Sequence, residues 1–251
     1  MRMKTGEKVL LIGKESMYVV EVGKGKYQTR EGFVDLRSLK NKKIGQEVKT
    51  HLGKKLLIAK PTIVDLLQKS AKRLPQIIMP KDAALILAYT GVNPGSLVVD
   101  AGTGSGFLSM FLASYIKPGR VVSYEINKAA AKLSKQNFKR VGLEKFIRLK
   151  QKDIRKGIDE KNVDLVVLDM KYAEKVVKHA YKSLRTGGWL VVYSPYIEQV
   201  KAVVKEMERK DFSKTKTVEN IVREWDVREH TLPARSGIMH TGFLTFARKV
   251  N

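Results

Sequence analysis

The segment that most constrains the fold is residues 97–106, Leu-Val-Val-Asp-Ala-Gly-Thr-Gly-Ser-Gly. A short β-branched run ends in Asp100 and is followed by three alternating glycines, and residues 107–116 then place apolar side chains at helical spacing. Glycine adopts positive φ easily and lets the backbone approach a ligand without a Cβ in between. A strand, a glycine turn and a helix in this order begin a βαβ unit of the nucleotide-binding type. The alternative is a purely structural turn in an α/β domain that binds no nucleotide.

The spacing of the glycines differs from the dinucleotide fingerprint Gly-x-Gly-x-x-Gly, because Phe107 stands at the position of the third glycine. The pattern Asp-x-Gly-x-Gly-x-Gly instead resembles motif I of the S-adenosylmethionine (AdoMet) methyltransferases. The helix N-terminus behind the loop offers free N–H groups to the carboxylate of such a ligand. The resemblance implies AdoMet-binding roles for Asp100, Gly102, Thr103, Gly104, Ser105, Gly106 and Phe107.

Strand-like and helix-like runs alternate from about residue 73, which predicts an α/β fold with a parallel sheet covered on both faces. A last run, residues 239–249, favours a final strand inserted antiparallel. The methyltransferase resemblance implies a Rossmann-like sheet of seven strands. The predicted strands are 97–101, 120–125, 146–150, 163–168 and 189–193, and the predicted helices are 107–116, 127–140, 172–184 and 197–210.

The first 60 residues have a different pattern, with short strand-like runs separated by glycine and lysine turns. They predict a small, basic, β-rich domain, barrel-like or a meander, and Pro61-Thr62 opens a helix over 63–72. We therefore divide the chain into an N-terminal domain with its connecting helix, residues 1–72, and a catalytic domain, residues 73–251.

The charge of the chain indicates its partner. Forty-nine Lys and Arg against 25 Asp and Glu give a net charge of +24 and a pI near 10.0. This excess favours a nucleic acid over a lysine-rich thermophile surface, where Glu would balance Lys, and over an anionic membrane. The absence of cysteine excludes disulfides and thiol nucleophiles, and the four histidines lack metal-ligand spacing, so no metal is expected. Without a signal peptide or a membrane-length apolar run, we expect a cytoplasmic protein.

Acidic residues follow three of the predicted strands. Glu125 lies 19 residues after Gly106, close to the spacing of a carboxylate that accepts ribose hydroxyls. In methyltransferases an acid at the position of Asp153 commonly meets the adenine amino group, although a helix cap explains Asp153 equally well. Asp169 ends the fourth strand. Because ligands bind at the carboxyl ends of strands, all three are expected to line one crevice.

Two further segments complete a second resemblance. Gln76-Ile-Ile-Met-Pro-Lys-Asp-Ala83 and the terminal His240-Thr-Gly-Phe-Leu-Thr-Phe-Ala-Arg248, together with the glycine loop and the strand-end acids, resemble the tRNA (adenine-N1)-methyltransferase family. The resemblance implies methylation of T-loop adenine 58, in archaea also 57, a homotetramer, and Gln76 and Asp169 at the cofactor. Lys171 replaces the family's proline after Asp169, and Met79 replaces its tyrosine. Tyr172 is either a substitute aromatic wall or a packing residue.

The chemistry implied is direct attack of adenine N1 on the sulfonium methyl, which needs no covalent nucleophile. We expect base flipping, and we expect Asp169 to be the catalytic residue, because a carboxylate near the amino group stabilises the forming cation and can accept its proton. His240 either shapes the base pocket or makes a structural hydrogen bond. Two alternatives remain at this point: an AdoMet methyltransferase for another RNA, a protein or a small anionic substrate, and a non-catalytic tRNA-binding subunit.

Overall fold

The computed structural model describes residues 2–74, 76–234 and 239–251. The chain forms two compact units, Met1–Ala71 and Lys72–Asn251, which divide one residue before the boundary that the sequence predicts.

The N-terminal unit is built from short antiparallel strands around a small apolar core. A four-stranded sheet has the order β2-β1-β6-β5, and β3 pairs with β4 in a separate hairpin. Val9, Leu11, Leu56 and Ile58 alternate inward from β1 and β6 and are fully buried. The sequence did not predict the short strand β5. The elements are β1 Lys8–Ile12, β2 Met17–Glu21, β3 Lys26–Thr29, β4 Gly32–Asp35, a 3-10 helix Leu36–Asn41, β5 Glu47–Lys49, β6 Lys55–Ala59 and α1 Ile63–Lys69.

The second unit contains a seven-stranded sheet of order β12-β15-β11-β10-β7-β8-β9. The strands from β7 to β11 run parallel, and β15 is inserted antiparallel between β11 and β12, so the predicted fold class is confirmed. A separate two-stranded hairpin, β13 with β14, precedes β15. The strands are β7 Leu97–Ala101, β8 Arg120–Tyr124, β9 Ile147–Lys150, β10 Val163–Leu168, β11 Leu184–Ser194, β12 Lys216–Glu219, β13 Trp225–Asp226, β14 Leu232–Pro233 and β15 Phe243–Arg248.

The helices cover the sheet and fix its loops. Most of the α3 side chains are buried, which explains its almost wholly apolar sequence. Sequence reasoning did not predict α2, although Pro80 at its first turn and Gly91 in the left-handed conformation at its end are ordinary boundary signals. The helices are α2 Pro80–Thr90, α3 Phe107–Ile116, α4 Lys128–Val141, α5 Val177–Ser183 and α6 Ile197–Glu208.

The core fixes the position of the loops at one edge of the sheet. Val99, Val122, Val166 and Val192 lie in a common buried cluster. Because β7, β8, β9 and β10 run parallel, the loops after them, with Gly102, Glu125, Asp153 and Asp169, emerge at the same edge. Within the described ranges, no helix is both long enough and apolar enough to cross a membrane.

Candidate active site

The glycine loop joins β7 to α3 and has a different requirement at each glycine. Gly102, with φ of +85°, lies so close to Asp169 that a Cβ would overlap the Asp169 backbone oxygen. Gly106 is the left-handed N-cap of α3, and a Cβ there would overlap the Phe138 ring. At Gly104 the nearest atom to such a Cβ is 3.8 Å away. The outer glycines are therefore required by packing, and the middle one faces open space from which a ligand can approach.

Glu125, directly after β8, is held against this loop. Its Oε2 accepts a hydrogen bond from the backbone N–H of Gly104 at 2.9 Å, and its Oε1 accepts one from the N–H of Asn127 at 2.8 Å. The residue is 9% exposed. Each carboxylate oxygen has two lone pairs, so both can accept a further hydrogen bond from a ligand.

A cavity of 340 Å³, here called the Glu125 cavity, opens beside this carboxylate. Asp153 lines it and also caps the 3-10 helix Ile154–Lys156 by accepting from the N–H of Arg155 at 3.0 Å. The Arg155 guanidinium also binds Asp153, and this contact lowers the pKa of the carboxyl. Asp153 thus makes the helix cap that was one of its two expected roles, and the contact with an adenine amino group stays a prediction. Tyr172 lines the same cavity with 56% of the residue exposed and φ of +62°.

Asp100 is directed below the loop rather than into the Glu125 cavity. Its carboxylate accepts hydrogen bonds from Ser109 and Ser123, the latter at 2.9 Å, and it is 2% exposed. Burial raises the pKa of Asp100. Thr103 joins the same network through Ser123, at 2.6 Å between the hydroxyl oxygens. The geometry assigns Asp100 and Thr103 to the support of the loop.

Ser105 and Phe107 are both buried where the loop passes into α3. The Ser105 Oγ has no hydrogen-bond partner among the described residues. A buried hydroxyl without a partner is uncommon in native proteins.

A second cavity, of 670 Å³, is here called the Asp169 cavity. Gln76, Met79, Asp169 and Tyr193 line it. The N–H of Asp169 donates to the carbonyl of Ala101 at 2.8 Å, so the residue sits directly beside the glycine loop. Burial and the nearby Asp100 carboxylate raise the pKa of Asp169 to about 7. Gln76 therefore lies with Asp169 rather than in the Glu125 cavity.

A polar cluster, here called the Lys81 cluster, ties the two walls of the Asp169 cavity together. Lys81 donates to Asp82 at 2.8 Å, to the Thr241 hydroxyl at 2.8 Å and to the carbonyl of Asn220. The Thr241 hydroxyl donates to the other Asp82 oxygen at 2.9 Å, and Asp82 is 1% exposed. The Tyr193 hydroxyl donates to the Thr241 carbonyl, and burial raises the pKa of Tyr193 to about 12. Sequence reasoning assigned no role to Lys81, Asp82, Thr241 or Tyr193.

His240 also borders the Asp169 cavity, and its ring bridges two elements. Nε2 donates to the Pro195 carbonyl at 3.0 Å, and Nδ1 pairs with Glu219. Since a carbonyl and a carboxylate are both acceptors, the arrangement suits an imidazolium, and the Glu219 contact raises the pKa of His240. These contacts correspond to the structural hydrogen bond that the sequence left open. Of the described residues, no three His, Asp or Glu side chains form a group that could hold a metal ion.

Comparison with known proteins identifies the family. The model of the family described as tRNA methyltransferase complex GCD14 subunit matches residues 57–239. The chain belongs to this family.

A Methanocaldococcus jannaschii protein named tRNA (adenine(57)-N(1)/adenine(58)-N(1))-methyltransferase TrmI is 35% identical, over 96% of this chain and 94% of that protein. The Thermus thermophilus tRNA (adenine(58)-N(1))-methyltransferase TrmI is 31% identical, over 90% of this chain and 89% of its own. A crystal structure from Thermotoga maritima, titled SAM-dependent O-methyltransferase, superposes with a TM-score of 0.88 at 31% identity and covers 100% of this chain and 95% of that one. The likeness therefore extends over both units.

Proposed function

We propose that this protein is a tRNA methyltransferase that transfers a methyl group from AdoMet to N1 of adenine. The observation that carries the proposal is the position of Asp169. Its backbone packs on Gly102 of the glycine loop, while its side chain lines the neighbouring Asp169 cavity. A methyl donor on the loop and a base in the Asp169 cavity would therefore meet at this carboxylate. The relatives named as tRNA adenine-N1 methyltransferases support the choice of base and of RNA.

The residues around the loop fit AdoMet. The open side of Gly104 and the N-terminus of α3 suit a ligand that carries a carboxylate. The oriented Glu125 oxygens can accept hydrogen bonds from a diol. We assign binding to Gly102, Gly104, Glu125 and Asp153. We assign the shape of the loop and its junction with α3 to Asp100, Thr103, Ser105, Gly106 and Phe107.

Bound AdoMet would supply a methyl group on a sulfonium. Attack by the lone pair of adenine N1 would form the N–C bond as the S–C bond breaks, leaving a neutral thioether and a cationic adenine. The Asp169 carboxylate stabilises that charge and accepts a proton from the exocyclic amino group. Its pKa of about 7 leaves it poised to do so near neutral pH. The Lys81 cluster keeps the cavity walls in position around the base, and Met79 supplies an apolar contact where the family has tyrosine.

The test compares Asp169→Asn and Asp169→Ala with the unchanged protein in single-turnover methylation of a tRNA transcript. We expect both variants to lose activity by about 10²–10⁴-fold, because neither carries the negative charge. Affinity for tRNA should stay nearly unchanged, since phosphate contacts dominate it. Methylation by Asp169→Asn at close to the normal rate would reduce Asp169 to a structural residue.

The position of the target is a finer part of the proposal. We propose that the enzyme methylates adenine 58 of the T-loop and adenine 57 where it is present, acting as a cytoplasmic homotetramer. Transcripts with either adenine replaced by guanine separate the sites, because each replacement removes one methylated position. Sedimentation of the purified protein measures the number of subunits.

A further inference from the structure

The β9 edge of the sheet carries a groove that lies outside both cavities of the reaction. It runs between α4 and the edge strand β9, has a volume of 460 Å³, and is here called the α4–β9 groove. Its floor includes Ile147 and Leu149, which alternate toward α4 along β9. Its wall on the helix side carries Lys128, Lys132 and Lys135.

The three lysines form one stripe, because positions i, i+4 and i+7 lie on the same face of a helix. All three are exposed, and none makes an ion pair with a described carboxylate. The stripe extends about 10 Å along the helix. Over that rise a single nucleic-acid strand carries about three phosphates. The one carboxylate of the lining, Glu144, follows the opposite end of α4.

The stripe begins next to the active site. Asn127 caps α4 with its side chain and donates its backbone N–H to Glu125, so the first turn of the helix is fixed beside the glycine loop. Lys128 follows directly, at the catalytic edge of the sheet, and Lys132 and Lys135 lead away from it. A strand bound along the groove therefore has one end close to the site of methyl transfer.

We infer that the α4–β9 groove binds the phosphate backbone of the RNA substrate, with Lys128, Lys132 and Lys135 each contacting a phosphate. The inference rests on the proposed function and adds a surface to it. Lysine binds phosphate as a mobile point charge, which suits a backbone contact without base specificity. The apolar floor gives room for sugars, and the overall charge of +24 matches a polyanion.

The experiment compares two triple variants of equal charge. The first replaces Lys128, Lys132 and Lys135 with glutamine. The control replaces Lys201, Lys205 and Lys210, also with glutamine. These lysines are exposed on or just after α6 and also make no ion pair with a described carboxylate. Binding of a full tRNA transcript is measured by filter binding over a series of KCl concentrations, and AdoMet binding is measured by calorimetry.

We expect the groove variant to bind tRNA about tenfold more weakly at 0.1 M salt, and its slope of log K against log salt to be shallower by about two to three. The control variant should keep the normal slope, and both should bind AdoMet normally. Equal slopes for the groove variant and the unchanged protein would overturn the inference, and so would equal losses in both variants. An unchanged protein that neither binds nor methylates tRNA would instead refute the proposed function.

Discussion

The raised pKa of Asp169, the carboxylate for which we propose the catalytic role, predicts that its ionised form destabilises the folded protein. The carboxyl binds its proton more tightly in the folded state, with a pKa of about 7, than at its ordinary value of 3.8. The free energy of unfolding should therefore fall as the pH rises from about 4 to about 7, and no further above that. The difference between the two pKa values corresponds to about 4 kcal/mol at pH 7 and above, of which about 2 to 3 kcal/mol develops between pH 5 and pH 8.

Asp169→Asn keeps the shape and removes the charge, so it should raise stability at pH 8 by about 2 to 3 kcal/mol more than at pH 5. Urea unfolding followed by tryptophan fluorescence measures this, because Trp189 and Trp225 both lie in the second unit. Asp211→Asn is the matched control, since Asp211 is an exposed carboxylate and its replacement should have a small effect at either pH. An equal gain from Asp169→Asn at both pH values would contradict the raised pKa of Asp169, because it would mean that the carboxyl is ionised at both.

Three further outcomes follow from the site. The single-turnover rate should rise with pH and level off above about 7 as Asp169 ionises, and a flat profile over pH 5.5–8.5 would argue against a role for its charge. Glu125→Gln should weaken AdoMet binding in calorimetry by at least about tenfold, since hydrogen bonds to a charged group are worth roughly 1.5–3 kcal/mol each; unchanged affinity would remove Glu125 from the cofactor site. Lys81→Met should lower methylation by at least about tenfold and leave AdoMet affinity unchanged, because the Lys81 cluster borders the Asp169 cavity, where the adenine is proposed to bind. Lys81→Arg should recover part of the activity. An equal loss of AdoMet binding would indicate general unfolding instead.

The parts of the fold that were predictable have local signals. Apolar runs that end in glycine or an acid marked β7, β8 and β10, and the parallel arrangement of such strands places Gly102, Glu125 and Asp169 at one edge. The antiparallel β15 was also predicted. Pro80 and Gly91 are boundary signals for helix α2, but this segment was interpreted only as part of the family resemblance, and no helix was predicted there.

The parts that were not predictable depend on contacts between distant segments. Lys81 meets Thr241 across 160 residues, and no periodicity in a single sequence reports such a pairing. The sequence did not indicate a role for Tyr193 either, since it is only the last residue of a predicted strand. The sequence also did not indicate which way the side chain at the end of a strand points. Asp100 turns down toward Ser109 and Ser123, whereas Glu125 turns toward the loop.

Transfer of the methyl group to N1 of a tRNA adenine can be measured directly. The most direct measurement incubates the protein with AdoMet carrying a labelled methyl group and an unmodified tRNA transcript, digests the RNA to nucleosides, and separates them by liquid chromatography with mass spectrometry. We expect label in 1-methyladenosine, and we expect the label to be lost when the T-loop adenines are replaced. Label in another nucleoside or in a ribose methyl group would contradict methylation at adenine N1. A transcript that stays unlabelled while the protein binds both AdoMet and tRNA would contradict it as well.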